Sequence, residues 1–419
     1  MVQRIKKIFN SDYFISVFSK MIGVLLAIIH SAFYSRYLGV VLKGEAAIIS
    51  NYVSIISSFA ALGMYQAYPY YRKREENIFY SFVNNMTSLY LIMLMSCILI
   101  VVFLPLSINL KIAAVIVPVQ AFIRHINYVV MVESPKTRAF SSIVISTLDL
   151  IIVFAFFFFT EAVYDYLVAI LFIQLAINLV VSYLNLKVDI KYLKFDLKQI
   201  PKYCRYGILP MITLLLMTIN YRIDIFMLND VFDVSTADIG IYSVGVALAE
   251  KVWLIPDAIK DILMSRLSKN SDKYEVAKVT RVSLHIALAV LVMAFLLGRS
   301  AILILYGPDF ERAYEILIIM LVGVVGMVFY KMVYSYNVVN GKKTINLMFL
   351  MVAAIVNAVL NLIFIPRGGI FAAAWSSVVS YLICGFVFLA YFCFVEKVKL
   401  TDMIFLKKED VNFMTKDLK

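Results

Sequence analysis

The chain has 419 residues, 63% of them apolar and only 16% charged, with a net charge of +12 and a mean hydropathy of +0.90. Those values lie far from a soluble domain of this length and describe an integral membrane protein. The apolar residues fall into runs of about twenty or more, enough to cross a hydrocarbon core of about 30 Å as a helix, which excludes the ten-residue alternation of a barrel.

The N-terminal MVQRIKKIFN leads into an apolar run without a small-residue cleavage pattern, so it reads as the approach to a first span rather than a cleavable signal. Twelve helices follow in the predicted order 12–38, 44–68, 78–104, 110–132, 138–160, 163–186, 203–228, 238–262, 280–305, 312–338, 342–366 and 370–396. The longest polar stretches, 186–203, 264–280 and 397–419, are too short for a soluble catalytic domain. Most of the 39 basic residues lie in alternate connections, at 4–7, 72–74, 136–138, 187–205, 260–281, 342–343 and 397–419. An error in the span count would scramble that alternation, so the positive-inside rule supports twelve spans with both termini cytoplasmic. The basic excess is then topology plus attraction to anionic lipid, with no nucleic-acid partner implied. Cys97, Cys204, Cys384 and Cys393 have no metal or redox spacing and read as small hydrophobes. His30, His125 and His285 form no ligand pattern either, and His125 reads as a packing histidine.

Five cations remain inside spans: Lys20, Arg124, Arg222, Lys251 and Lys331. A charge at mid-bilayer costs roughly 2.5–3.5 kcal/mol on insertion scales, so such residues face a cavity or a partner. Lys331 and Arg222 are also near enough to their span ends to snorkel. The acids Asp149, Asp224 and Glu250 are candidates for gating or ion coupling. Asp149 is expected to pair with a cation such as Arg124, or else to exchange a proton or sodium ion. Asp224 sits two residues from Arg222, so the two do not face each other on one helix. Pro118, Pro210 and Pro256 are expected to kink their spans.

The halves repeat. In the fourth span FIRHINYVVMVESPKT places Arg124 thirteen residues before Thr137, and in the tenth FYKMVYSYNVVNGKKT places Lys331 thirteen before Thr344. Six spans per repeat is an even number, so the halves share an orientation, as in rocking transporters. The division expected is an N-terminal lobe over 1–190 and a C-terminal lobe over 191–419 with a short cytoplasmic tail.

The segment NYRIDIFMLNDVFDVSTADIGIYSVGVALAEKVWLIPDAIKDILMSRLSK, then LLGRSAILILYGPDFERAYEILIIML and NAVLNLIFIPRGGIFAAAWSSVVSYLI, and SRYLGVVLKGEAA near the first span, resemble the polysaccharide-transport flippases of the multidrug/oligosaccharidyl-lipid/polysaccharide exporter superfamily. SRLSK lacks the proline usual near the end of the eighth helix in that family. The resemblance implies an all-α polytopic fold of about twelve helices in two six-helix lobes, MATE-like and V-shaped around a central cavity. It implies a flippase in a bacterial cytoplasmic (inner) membrane, not an enzyme. The cargo would be an undecaprenyl-diphosphate-linked oligosaccharide for O-antigen or capsule. Membrane lipid and a polymerase or chain-length complex are further implied partners, with no cofactor beyond proton or sodium coupling. Such a cargo asks for a cationic lumen, which the five intramembrane cations would line. A cation-coupled multidrug exporter of the same superfamily is the nearest alternative. A peptidoglycan-precursor flippase fits the cationic cavity but usually has fourteen helices. An O-antigen polymerase or ligase, from a different class, would carry a large external catalytic loop, whereas the longest external connection, around NDVFDVSTAD, is about ten residues.

Overall fold

The computed structural model describes residues 12–75, 78–267, 272–407 and 410, with side chains not described for 12–21, 254–255, 258, 261–262 and 265. Its described residues are almost entirely helical: α1 (Asp12–Ala60), α2 (Tyr68–Arg72), α3 (Ile78–Phe103), α4 (Ile108–Glu133), α5 (Pro135–Phe159), α6 (Tyr164–Leu186), α7 (Ile200–Phe226), α8 (Thr236–Val252), α9 (Leu254–Leu267), α10 (Lys273–Tyr306), α11 (Ala313–Val339), α12 (Lys343–Glu396) and α13 (Leu400–Ile404).

Nine described helices are long and apolar enough to cross a membrane. Two of them carry an elbow where a glycine takes a positive φ, Gly39 at 65° in α1 and Gly369 at 52° in α12. A side chain at either position would be strained by the positive φ alone, because nothing lies within 4 Å of a built Cβ to crowd it. Each bent helix therefore supplies two of the predicted spans. The eighth span is divided between α8 and α9 around Trp253. Pro256, just beyond, has no N–H to bond back to the carbonyl of Val252, which favours the break there. Pro118 and Pro210 lie inside α4 and α7.

Contacts gather the chain into two compact units, one running to Phe226 with Ser235–Gly240, the other comprising Met227–Val234 and everything from Ile241. The sequence division at residue 190 follows the repeat, whereas the contacts place α7 with the first unit. The reason is local. Gly63, with φ of 64°, and Gly207 of α7 approach so closely that a Cβ on either would stand 2.2–2.3 Å from the other's carbonyl oxygen. Likewise a Cβ at Gly44 would meet the Thr236 carbonyl at 1.9 Å, and one at Gly240 the Val40 carbonyl at 2.0 Å. Small residues substitute here for a hydrophobic driving force that lipid does not provide between helices.

The first unit packs α1 against α5 and α6 through Tyr34, Tyr37, Leu38, Val153, Leu167 and Ile170. At one end Tyr37 Oη lies 2.7 Å from Thr160 Oγ1 and donates to the Glu161 carbonyl at 3.1 Å. The long polar connection from α6 to α7 is held against α3. The Lys194 and Gln199 amides donate to the side-chain oxygens of Asn84 and Asn85, and the Asp196 amide donates to Ser88 Oγ. Asn85 also donates to the Asp196 carboxylate at 3.0 Å.

In the second unit α11 is the central helix. Its apolar window is 78% buried, against 33% or less for the other spanning helices of that unit. Gly326 and Gly385 seat α11 against the second arm of α12, a Cβ at Gly385 falling 2.1 Å from the Gly326 carbonyl oxygen. At one end Lys342 pairs with Glu396 at 2.9 Å, and Lys273 donates to the Glu396 carbonyl. The chain after α12 docks on α10: the buried Arg281 guanidinium pairs in two places with the Asp410 carboxylate, at 2.5 and 2.8 Å, and donates to the Asp402 carbonyl.

Candidate functional site

Within the first unit, α1, α4, α5 and α6 line an open-sided cavity of about 290 Å³, with Ser50, Ser54, Gln120, Asp149, Gln174 and Asn178 among apolar residues that include Ile49, Val53 and Leu171. Gln120, Asp149 and Gln174 lie near the midpoints of α4, α5 and α6. The cavity is therefore at mid-membrane depth, where each polar group needs a partner or water. Asp149 Oδ1 is buried without a hydrogen-bond partner. Gln174 reaches His30 of α1 at 2.9 Å, and the single Ser182 hydroxyl proton has Asn127 Oδ1 at 3.0 Å and Asn178 Oδ1 at 3.3 Å as its two acceptors. A carboxylate surrounded by amides and hydroxyls, with room for several waters, presents the donor set for a hydrated cation, a proton or the hydroxyls of a sugar.

The expected pairing of Asp149 with Arg124 does not form. Arg124 lies one turn beyond Gln120 on the same face of α4, and its guanidinium donates to Ser57 Oγ of α1 at 3.2 Å. The Arg124 guanidinium is thus taken up by α1 while Asp149 Oδ1 is left to the cavity, a choice of neighbour that hydropathy does not encode. His125, the next residue, is fully buried, its Nδ1 placed 2.9 Å from the Ala121 carbonyl and 3.1 Å from Tyr90 Oη. It packs, as expected.

Lys331 on α11 is 5% exposed. Its ammonium donates to Asp257 Oδ2 at 2.7 Å and to the Trp253 carbonyl at 3.3 Å, with the Trp253 ring 5.4 Å away. Asp257 is also 3.4 Å from Lys260. The ammonium is thus held by the interior of the second unit and does not snorkel. Glu250 and Lys251 are partly buried at the end of α8 in the same unit. Arg222 is half-buried and Asp224 fully buried in α7, in the first unit, and neither is without a partner. Lys20 lies outside the residues whose side chains are described.

Arg124 and Lys331, matched by the sequence repeat, occupy matching places. Each is on the most buried spanning helix of its unit, α4 at 50% and α11 at 78%. Each reaches back to the second helix of its own repeat, the arm of α1 that carries Ser57 or the α8–α9 pair that carries Trp253 and Asp257. The repeat is therefore a repeat of packing as well as of sequence.

The cavity's amides and hydroxyls were not singled out from the sequence. A signal was present: Ser50 and Ser54, Gln120 and Arg124, and Gln174 and Asn178 are i,i+4 pairs of polar residues on otherwise apolar helices, each pair one face.

A family model described as a polysaccharide biosynthesis protein matches residues 36–315 of the chain. No curated protein matches the sequence. Among solved structures, the lipid II flippase MurJ in an inward closed conformation superposes with a TM-score of 0.73 at 17% identity, covering 94% of this chain and 88% of its own. An inward-facing multidrug resistance MATE family transporter of the MOP superfamily gives 0.66 at 14% identity, with 92% and 98% covered. A MOP superfamily transporter from Pyrococcus furiosus, described as having a binding pocket of reverse polarity, gives 0.60 at 14% identity, with 92% and 96% covered. At these identities the likeness establishes the fold.

Proposed function

We propose, from the premise that this chain belongs to the family of polysaccharide biosynthesis proteins matched over residues 36–315, that it is a flippase for lipid-linked oligosaccharides. The family match carries the reading, and the transporter fold supports it. The cargo is a polyprenyl-diphosphate-linked repeat unit for O-antigen or capsule, moved from the cytoplasmic to the outer leaflet of a bacterial inner membrane by alternating access, with both termini cytoplasmic. Its diphosphate is met by intramembrane cations, of which Arg124 and Arg222 are half-buried and present a guanidinium fork that suits phosphate oxygens. Its sugar hydroxyls find amide and hydroxyl partners of the kind that line the mid-membrane cavity. A polymerase or chain-length complex would receive the delivered unit.

Asp149 supports ion coupling of this transport, because a buried carboxylate oxygen without a hydrogen-bond partner in a cavity lined by amides and hydroxyls is a place for a proton or sodium ion. The same carboxylate favours the alternative of a cation-coupled multidrug exporter, which drug-resistance assays on overexpression would reveal. Deleting the gene and identifying the lipid-linked glycan that accumulates on the cytoplasmic leaflet tests the main reading. If no glycan lipid accumulates and drug sensitivity rises, the exporter reading replaces it.

A further inference from the structure

The aromatic residues at the basic-rich end of the first unit are not scattered as in an interfacial belt. They converge where the turn before α3 meets the start of α7. Tyr70 and Tyr206 stack with centroids 4.4 Å apart and planes 30° from parallel. Tyr71 stands edge-on to both, at 5.0 Å from Tyr70 and 6.1 Å from Tyr206. The Arg74 guanidinium lies 3.7 Å from the Tyr70 ring centre, and the Lys202 ammonium 4.4 Å from that of Tyr71 while pairing with Glu75 at 2.7 Å. Tyr206 is 38% exposed although one face of its ring is covered by Tyr70.

Three features fix this surface in place. The close backbone approach of Gly63 and Gly207 locks the turn to α7. Tyr68 and Arg72 of α2 both bond the Glu133 carboxylate at the end of α4, Arg72 at 2.7 Å. Tyr203, one turn before Tyr206, is fully buried with its ring 5.7 Å from Tyr71. Rings held in this way lose little freedom when a ligand arrives, which is the main cost of binding to side chains. Membrane-interface tyrosines ordinarily direct a hydroxyl to the headgroups. A stacked, cation-flanked and partly exposed ring pair presents something different: a flat π face for the C–H face of a pyranose, beside charges for its hydroxyls or its phosphate.

We propose that Tyr70, Tyr71 and Tyr206, with Arg74 and Lys202, form a glycan-binding platform that receives the sugar headgroup of the lipid-linked substrate. This rests on the flippase reading and names a site for it at the end where the positive-inside rule places the cytoplasm. Tyr206 supplies the stacking face, and Arg74 and Lys202 hold the polar groups around it.

The test uses the full-length protein in lipid nanodiscs. Two probes are compared, undecaprenyl diphosphate carrying one N-acetylhexosamine and bare undecaprenyl diphosphate, with dissociation constants read by native mass spectrometry. The expected wild-type preference for the sugar-bearing lipid is about tenfold. Tyr206→Ala abolishes that preference and leaves the affinity for the bare lipid unchanged, and Tyr206→Phe keeps it, since the ring rather than the hydroxyl does the stacking. A Tyr206→Ala protein that still prefers the sugar-bearing lipid overturns the platform and leaves the flippase reading standing. A wild type that binds neither lipid overturns both.

Discussion

The Lys331–Asp257 pair separates a structural cation from a substrate-binding one. At 2.7 Å and an effective dielectric of about 20, the gross attraction is about 6 kcal/mol, opposed by several kcal/mol of desolvation for each ion. The two partners are not equivalent, because the Lys331 side chain is 6% exposed and that of Asp257 35%. In Asp257→Asn the ammonium stays enclosed beside Trp253 without its counterion. The cost is about 3 kcal/mol, the lower end for breaking a buried pair because water reaches the outer side of Asp257. In Lys331→Met the carboxylate keeps Lys260 at 3.4 Å and its exposed edge, so the cost is within about 1 kcal/mol. Thermal unfolding in detergent should rank the variants, with Asp257→Asn lowered by roughly 5–10 °C and Lys331→Met by a few degrees at most. Transport of lipid-linked glycan should survive in Lys331→Met if the ion pair is structural. Equal destabilisation by the two substitutions would refute the asymmetry. A stable Lys331→Met protein that no longer transports would return Lys331 to the substrate path.

Asp149→Asn should leave folding intact and remove the dependence of transport on an ion gradient. A cation bound at mid-membrane feels about half of the potential, a change of roughly sevenfold in affinity per 100 mV. Transport that still falls when the gradient is collapsed would rule this role out. Gly326→Ala should destabilise the second unit by about 2–3 kcal/mol, since the new Cβ would stand 2.3 Å from the Tyr381 carbonyl oxygen. Gly23→Ala, with nothing within 4 Å of a built Cβ, should be neutral or slightly stabilising, and equal melting temperatures for Gly326→Ala and Gly23→Ala would contradict the packing argument. Burial would raise the Asp410 carboxyl, but the hydrogen bonds from Arg281 and the Lys407 amide outweigh it and hold the group below its usual value. Its stabilisation of the docked C-terminal segment is accordingly full above about pH 4 and lost as the pH falls through the depressed folded value. Limited proteolysis after α12 should therefore increase in acid. Asp410→Asn should show that sensitivity already at neutral pH, and a segment equally protected in both proteins would disprove it.

Hydropathy and charge alone determined that the chain is a twelve-span membrane protein and where its spans lie, because burial in lipid demands about twenty apolar residues per helix and the loop cations sort by side. The repeat between the fourth and tenth spans was legible too, since equivalent helices at the centre of two units keep a cation at an equivalent position. The helices' rotation and contacts were not legible, because a single sequence gives the composition of a face but not its neighbour. Arg124 and Asp149 looked like natural partners, yet Arg124 turns to Ser57 and Asp149 Oδ1 has no hydrogen-bond partner; Lys331 read as a lumen cation, and its ammonium is bound by Asp257 beside the Trp253 ring. The breaks at Gly39 and Gly369 were legible as the gaps between predicted spans at 38–44 and 366–370, whereas their positive φ within otherwise continuous helices appears only when the backbone is built. The polar cavity around Asp149 follows from bringing α1, α4, α5 and α6 together. α1, α4 and α6 each contribute one or two amides or hydroxyls and α5 the Asp149 carboxyl, and only tertiary packing makes them a site.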